Sequence, residues 1–167
     1  FVFKVLGMLL SYLVLLVISN KFGSEGTGVY TLSFNILNAL AIFGTLGTNI
    51  SILRYSGEFN ISKKRTELRK LFHYTFKFSL LFSLVIGIIV FYSSDFIAKQ
   101  IFKNETYTSI LKIIAFAIPI FSLNLINVEF FRGLKKLKLS EFFRGPSNYL
   151  IIIVLVFFIL NSKIEDT

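Results

Sequence analysis

Long apolar blocks, separated by short polar stretches, dominate the pattern of residues along the chain. The blocks cover residues 2–19, 29–53, 71–93, 109–131 and 142–160. A bilayer core about 30 Å thick requires about 20 apolar residues in a helix. The first four blocks reach that length, and the fifth reaches it when the turn before Pro146 is included. The strict alternation over about ten residues that membrane β-strands require is absent, so the pattern predicts about five membrane-spanning helices.

The composition excludes a water-soluble domain of this size. Hydrophobic residues make up 54% of the 167 residues, charged residues make up 16%, and the mean hydropathy is +0.74. Soluble domains are about 45–50% apolar and about one quarter charged. The chain has no cysteine, which excludes disulfides and thiolate metal sites. We therefore predict an all-α, polytopic transmembrane helical bundle.

The ends of the chain indicate a piece of a longer protein. The sequence begins without a methionine and stops a few residues after the fifth block. We expect residues 1–167 to form a partial N-terminal transmembrane lobe, with a C-terminal lobe missing from this sequence. No small-residue cleavage site precedes Asn20, which favours a membrane helix over a signal peptide for the first block.

The distribution of Lys and Arg predicts the orientation in the membrane. The loop 54–70 has six of them and the loop 132–145 has five, whereas the loops 20–28 and 94–107 and the tail 161–167 have four in total. Short basic loops stay in the cytoplasm. We expect a multi-pass protein of the inner (cytoplasmic) membrane with its N-terminus in the cytoplasm. This orientation accounts for the net charge of +9, so membrane lipids are expected partners and nucleic acid is not.

Polar residues recur on one side of the second block. Their spacing of three or four residues places them on one helix face, and only Ile42 in the series is apolar: Thr31, Asn35, Asn38, Ile42, Thr45, Asn49. An amide that faces lipid lacks a hydrogen-bond partner. This face is therefore either the wall of a hydrophilic transport cavity or a packing surface whose interhelical hydrogen bonds contribute about 0.6 kcal/mol each.

Small residues inside the blocks predict close helix packing. They are Gly7 with Ser11, Gly44 with Gly47, and the series Ser79, Ser83 and Gly87. Small side chains at such spacings let the backbones of membrane helices approach one another.

The fourth block contains a proline with polar residues after it. Pro119 removes a backbone donor and predicts a kink, and Asn124 and Asn127 follow it. Glu129 and Arg132 are spaced for an i, i+3 ion pair. The arrangement suits either a moving gate or a static kink with an ion pair at the interface.

Two basic residues lie inside the blocks. Lys112 is one turn from the end of the fourth block, and its long side chain can reach the membrane surface. Lys77 is deeper and shares a helix face with His73. Lys77 is therefore a candidate for binding an anion in a cavity, with a surface-reaching anchor as the alternative.

Two stretches carry a resemblance to a known family. Residues 20–59 contain the turn FGSEGTGVY, the pair Leu46–Gly47 and a closing Arg54, and residues 130–142 read FFRGLKKLKLSEF. These stretches resemble the first hairpin and the basic fourth loop of polysaccharide-repeat-unit flippases. Those flippases belong to the multidrug/oligosaccharidyl-lipid/polysaccharide exporter superfamily.

The resemblance implies a MATE-like two-lobe transporter with a cavity that opens alternately to each side. The implied substrate is a polyprenyl-diphosphate-linked oligosaccharide, with Arg54 at the diphosphate and an ion gradient (H⁺ or Na⁺) as the energy source. No cofactor, metal or catalytic residue is expected, so the protein would not be an enzyme. The candidate substrate-binding residues are Asn35, Asn38, Thr45, Asn49, Arg54, Lys77, Asn124 and Asn127.

Three other classes remain open at this point. A multidrug/cation antiporter of the same superfamily should have a carboxylate at mid-membrane, whereas Asp95 and Glu129 lie near block ends. A membrane-embedded glycosyltransferase or glycan polymerase should carry catalytic groups in a large external loop. An anchor or assembly subunit would not need the polar face of the second block.

The predicted orientation is tested with reporter fusions to the intact protein. A reporter that is active only in the cytoplasm should be active when fused within 63–70, because that loop is strongly basic. The same reporter fused at Asn104 should be inactive, and one that works only outside the cytoplasm should be active there. Activity of the outside reporter within 63–70 would reverse the orientation.

Overall fold

A computed structural model describes residues 2–149, so Phe1 and residues 150–167 lie outside the described part of the chain. The helices are α1 (Val2–Thr45), α2 (Thr48–Ile61), α3 (Arg65–Ile97) with a π-helical turn (Ala98–Phe102), α4 (Thr106–Gly133) and α5 (Leu137–Arg144). No strand occurs within 2–149.

The predicted class, an all-α membrane bundle, is confirmed. Within residues 2–149, three helical stretches are long and apolar enough to cross a membrane: Val2–Thr45, Arg65–Phe102 and Tyr107–Gly133. The count of about five spans stays a prediction. Its fifth member, 142–160, lies largely outside the described residues.

Helix α1 folds back on itself at Gly23, whose backbone is not helical (φ 68°, ψ −162°). In a straight helix, Gly7 and Phe34 would be about 40 Å apart. Yet Gly7 lies against Gly145, and the ring of Phe34 stacks on Tyr149 at 6.5 Å between centroids, only four residues further along. The two arms of α1, here called the first arm (2–22) and the second arm (24–45), therefore return towards the same neighbour.

The second apolar block is two helices rather than one. Leu46 and Gly47 both have positive φ, 47° and 75°, and α2 starts at Thr48. Glycine adopts this conformation without the steric cost that a side chain adds. No atom lies within 4 Å of the position a Gly47 side chain would take. Gly47 thus supports a turn, whereas its expected role was close packing.

The helical bundle has two ends, and each end is identified here by the turns that lie there. The basic end holds the turns 62–64 and 134–136, and the opposite end holds Gly23 and the turn 103–105. Helices α3 and α4 are antiparallel, because the rings of Phe72 and Phe130 meet at 4.5 Å near one end while Lys112 pairs with Asp95 near the other.

Small residues line the contacts between these helices, as predicted. The buried polar or small positions of α3 are Thr75, Ser79, Ser83, Gly87 and Ser94. A side chain at Gly44 would collide with Ser122 and Ser83, and one at Gly133 would collide with Ser56. Helices in lipid gain nothing from hiding apolar surface, so close backbone approach stabilises the bundle instead.

Gly87 packs where Pro119 interrupts the hydrogen bonds of α4. Pro119 has no N–H, so the Ala115 carbonyl lacks its usual donor four residues later. The side-chain position of Gly87 lies 2.7 Å from this Ala115 oxygen, so an α-hydrogen of Gly87 points at it. Helix α4 continues through the proline as one helix.

A methyl group at Gly87 should therefore destabilise the protein. We expect Gly87→Ala to cost about 1–3 kcal/mol through overpacking against the Ala115 carbonyl and to lower the melting temperature of the detergent-solubilised intact protein. The matched control is Gly28→Ala, which meets no atom within 4 Å and has no positive φ. Equal melting temperatures for the two variants would contradict the close contact.

Candidate functional site

The polar face of the second arm is open in the described structure. Thr31 and Asn35 are exposed, Ile42 is 55% exposed and Asn38 is partly buried. The Asn38 amide donates to the Phe34 carbonyl oxygen at 2.9 Å, within its own helix. Asn35 has no hydrogen bond to any described residue. This face is therefore available to a ligand, to water or to protein outside residues 2–149.

The face ends before the two remaining residues of the predicted stripe. Thr45 is fully buried, and its hydroxyl donates to the Ile42 carbonyl oxygen at 2.7 Å. Asn49 lies beyond the break at Leu46–Gly47, on α2, and is partly buried. The helical period that placed six residues on one face holds only while the helix is unbroken.

The break at Leu46–Gly47 leaves the last carbonyls of the second arm without helical partners. Hydroxyl groups replace most of them. The Thr45 hydroxyl donates to the Ile42 oxygen at 2.7 Å, and Ser79 on α3 makes a longer contact of 3.5 Å with the Gly44 oxygen. Ser122 on α4 adds a further donor, at 3.0 Å, to the Ala41 oxygen, one position earlier in the helix. Locally, Thr48 donates to the Thr45 oxygen and the Leu46 N–H donates to the Phe43 oxygen at 3.0 Å.

This break lies near the middle of the apolar layer. Gly44, just before it, lies beside Ser83 and Ser122. These two serines are within two residues of the midpoints of the blocks 71–93 and 109–131. The sequence prediction missed the break, although a glycine inside an apolar block is a signal for one, and interrupted helices near mid-membrane occur at transporter binding sites.

Arg54 and Lys77 are exposed on different helices. Arg54 is on α2, with its guanidinium 6.0 Å from the ring centre of Tyr55. Lys77 is on the side of α3 that points away from Ser79 and hence from the second arm. Neither has an ion pair with a described residue. The structure does not bring Lys77 to the polar face of the second arm.

Asn124 holds α4 against the end of α5 through two hydrogen bonds. Its amide donates to the Phe143 carbonyl oxygen at 2.8 Å and to Oδ1 of Asn148 at 2.6 Å. Asn148 donates in turn to the Arg144 carbonyl oxygen at 3.1 Å. These carbonyls lose helical partners because the chain turns at Gly145. Asn127 is partly buried and has no hydrogen bond within the described part.

The expected pair of Glu129 and Arg132 is present, at 3.3 Å, and has a third member. Arg144 binds the other oxygen of Glu129 at 3.1 Å and lies 3.9 Å from Glu141. The Glu129 side chain is only 15% exposed. The pattern could not identify Arg144 as a partner, because it is 15 residues away and only the folding of α5 onto α4 brings it close.

Three of the grooves formed by residues 2–149 are lined by none of the eight predicted residues. An apolar groove of about 260 Å³ lies between α3 and α4 at Gly87 and Pro119. A second of about 310 Å³ lies at the α2–α3 turn beside Lys63 and Arg65. A third of about 270 Å³ lies between the first arm and residues 141–149. Within 2–149, no group of His, Cys, Asp and Glu could hold a metal ion.

Comparison with known proteins gives one match. A family model described as "Polysaccharide biosynthesis protein" matches residues 1–163. Neither the curated proteins nor the solved structures contain a match.

Because Asn124 is hydrogen-bonded and Asn127 has no hydrogen bond within residues 2–149, substituting the two residues should change the stability of the protein to different extents. We expect Asn124→Leu to destabilise the bundle by about 1–3 kcal/mol, because it removes the amide that donates to the Phe143 carbonyl oxygen and to Oδ1 of Asn148. Asn127→Leu removes no described hydrogen bond and is the matched control. Thermal unfolding of the intact protein in detergent measures the stability of both variants. An equal loss of stability in the two variants would contradict the stabilising role of the Asn124 hydrogen bonds.

Proposed function

The chain belongs to the polysaccharide biosynthesis protein family, and on that premise we propose that it is part of a flippase. The protein would translocate a lipid-linked oligosaccharide or polysaccharide repeat unit across the cytoplasmic membrane by alternating access. The observation that carries the proposal is the open polar face of the second arm, with Asn35 and Asn38 on a helix of a membrane bundle.

The chemistry of this face suits a saccharide. Moving a sugar hydroxyl into hydrocarbon without a hydrogen-bond partner costs several kcal/mol, in the range of about 4–8 kcal/mol for full transfer to alkane. Asn35 offers both its amide donors and its carbonyl oxygen, and Asn38 keeps its carbonyl oxygen after donating to Phe34. A path of such groups lowers the barrier for a chain of sugars.

The interrupted helix supports movement next to this face. The second arm and α2 are separate helices joined by two residues with positive φ. They pack separately, through Gly44 against Ser83 and Ser122 and through Ser56 against Gly133. A change of angle at Leu46–Gly47 would open one half of the cavity without unpacking the other.

The basic end supports a proposal about the substrate and about the orientation of the protein in the membrane. We propose that this end and the N-terminus face the cytoplasm and that Arg54 meets the diphosphate of a polyprenyl-linked saccharide there. The exposed guanidinium has no ion pair with a described residue, and its planar donors match phosphate oxygens in pairs. An ion gradient would supply the energy, and no catalytic step or cofactor is part of the proposal.

The carboxylates make the antiporter alternative less suitable. Glu129 is held by Arg132 and Arg144, and Asp95 lies 3.8 Å from Lys112 at the opposite end. Neither is a free carboxylate at mid-membrane, which a cation antiporter would use to bind its cation. An anchor or assembly subunit would have no use for the exposed amides of the second arm.

The test is a double substitution on the polar face. We expect Asn35→Leu with Asn38→Leu to reduce translocation of a labelled lipid-linked saccharide at least tenfold, with normal abundance in the membrane. The control is Leu32→Met with Phe43→Leu, at exposed apolar positions of the same arm. The intact protein is assayed in proteoliposomes and by surface polysaccharide in cells.

A double variant that translocates normally would remove the polar face from the mechanism. If the control variant also lost translocation, any substitution on the surface of the second arm would be harmful. In that case the result would assign no specific role to the polar face.

A further inference from the structure

The groove between the first arm and residues 141–149 has a chemical character that the other grooves lack. Its volume is about 270 Å³, and its lining combines opposite charges with hydroxyl groups. The residues that matter are Lys4 and Ser11 on the first arm, with Glu141, Arg144 and Tyr149 facing them. The proposed translocation path on the second arm uses none of these residues.

Two glycines form the floor of this groove. A side chain on Gly7 would approach the Cα of Gly145 to 3.1 Å, so the two backbones are nearly in contact. The absence of side chains at this crossing point leaves the space above it open. A ligand in the groove would therefore rest on the two backbones with functional side chains on both sides.

The two basic side chains of the groove differ in their ion pairing. Lys4 is exposed and has no ion pair or hydrogen bond with any residue of 2–149. Arg144 is held by Glu129 at 3.1 Å, which fixes its position, and its side chain is still 46% exposed. A guanidinium has five N–H donors, so Arg144 keeps donors for a ligand. A positioned guanidinium beside a free ammonium suits a phosphate.

Two hydroxyl-bearing side chains, Ser11 and Tyr149, also line the groove. Neither the Ser11 nor the Tyr149 hydroxyl has a hydrogen bond within the described part of the chain. Ser11 lies seven residues beyond Lys4, about 10 Å deeper along the first arm. That depth is inside the first apolar block, where an unpaired hydroxyl is costly. A ligand with its own polar groups would supply the missing partners.

We propose that this groove binds the phosphate-bearing headgroup of a lipid. The phosphate lies between Lys4 and Arg144, and hydroxyls of the headgroup bond to Ser11, Tyr149 and the Glu141 carboxylate. A lipid is favoured over a soluble anion because exposed Met8 lies at the side of the groove within the first apolar block, where an acyl or prenyl chain can leave the groove sideways into the bilayer. The site stands whether or not the protein is a flippase. It rests on the proposed function only in naming a lipid-linked saccharide, rather than a bulk anionic phospholipid, as the lipid bound.

The test measures lipid binding to the intact protein in phosphatidylcholine nanodiscs. One set of discs contains undecaprenyl diphosphate linked to N-acetylglucosamine, a second contains phosphatidylglycerol, and inorganic pyrophosphate is the soluble competitor. We expect Lys4→Gln to weaken binding of the saccharide lipid about tenfold, which is the loss of one charge-assisted hydrogen bond. Ser11→Ala with Tyr149→Phe should weaken it by a similar factor, because the headgroup hydroxyls lose their partners.

The controls separate the site from charge and folding effects. Lys21→Gln removes one exposed cation from the other end of the first arm and should leave binding unchanged. Arg144→Lys keeps the charge beside Glu129 but removes the planar donors, so it should weaken binding while the melting temperature is retained. The serine and tyrosine hydroxyls have no described bonds, so removing them should not affect folding.

Each result decides between the sources of the phosphate. Weaker binding of the saccharide lipid alone supports a substrate site, and equal weakening for phosphatidylglycerol supports a site for bulk anionic lipid. Competition by pyrophosphate alone, with no effect of the lipids, would overturn the lipid proposal, as would unchanged binding in Lys4→Gln and the hydroxyl variant. Translocation is measured separately, so binding without translocation would refute the flippase and leave the groove in place.

Discussion

The structure depends on one constraint, which is that a backbone carbonyl or N–H group inside hydrocarbon has to find its partner within the protein. An unbroken helix meets this constraint by itself, so each interruption needs extra groups. At Leu46–Gly47, the hydroxyls of Thr45 and Thr48 replace lost helical donors. At Gly145, the amides of Asn124 and Asn148 do the same. These polar side chains are thus consequences of the breaks and do not by themselves indicate a ligand.

Close packing follows from the same solvent. Because lipid is as apolar as a leucine side chain, the helices are held by van der Waals contact and by polar bonds between them. The glycines that allow this contact therefore sit beside the groups that satisfy the backbone: Gly44 lies next to Ser122, and Gly87 lies next to the Ala115 carbonyl that Pro119 leaves without a donor. At these positions, close helix packing and the hydrogen bonding of the backbone therefore depend on the same residues.

The sequence predicts the parts of this fold that depend on local composition. Apolar blocks identify α3 and α4, and small residues identify the packed faces. The pattern placed a loop at 20–28, and the fold-back at Gly23 lies within it, but the helical conformation that continues on both sides of this glycine was not predicted. It also treated Thr45 and Asn35 as equivalent, whereas the break buries the former and leaves the latter exposed. The second partner of Glu129, Arg144, is brought close only by tertiary contact, so no local pattern contained it.

The difference between polar residues that are hydrogen-bonded inside the bundle and those that are not helps to identify the residues with a role in binding. A polar group whose bonds are complete inside the bundle, such as that of Thr45 or Asn124, stabilises the structure and has little left for a ligand. A polar group that is exposed or unpaired at membrane depth has to meet water, a ligand or another part of the protein, because lipid cannot satisfy it. Asn35 and Ser11 are in this second group, on opposite arms of α1. Since neither side chain makes a hydrogen bond within residues 2–149, a role in binding explains their polarity better than packing does.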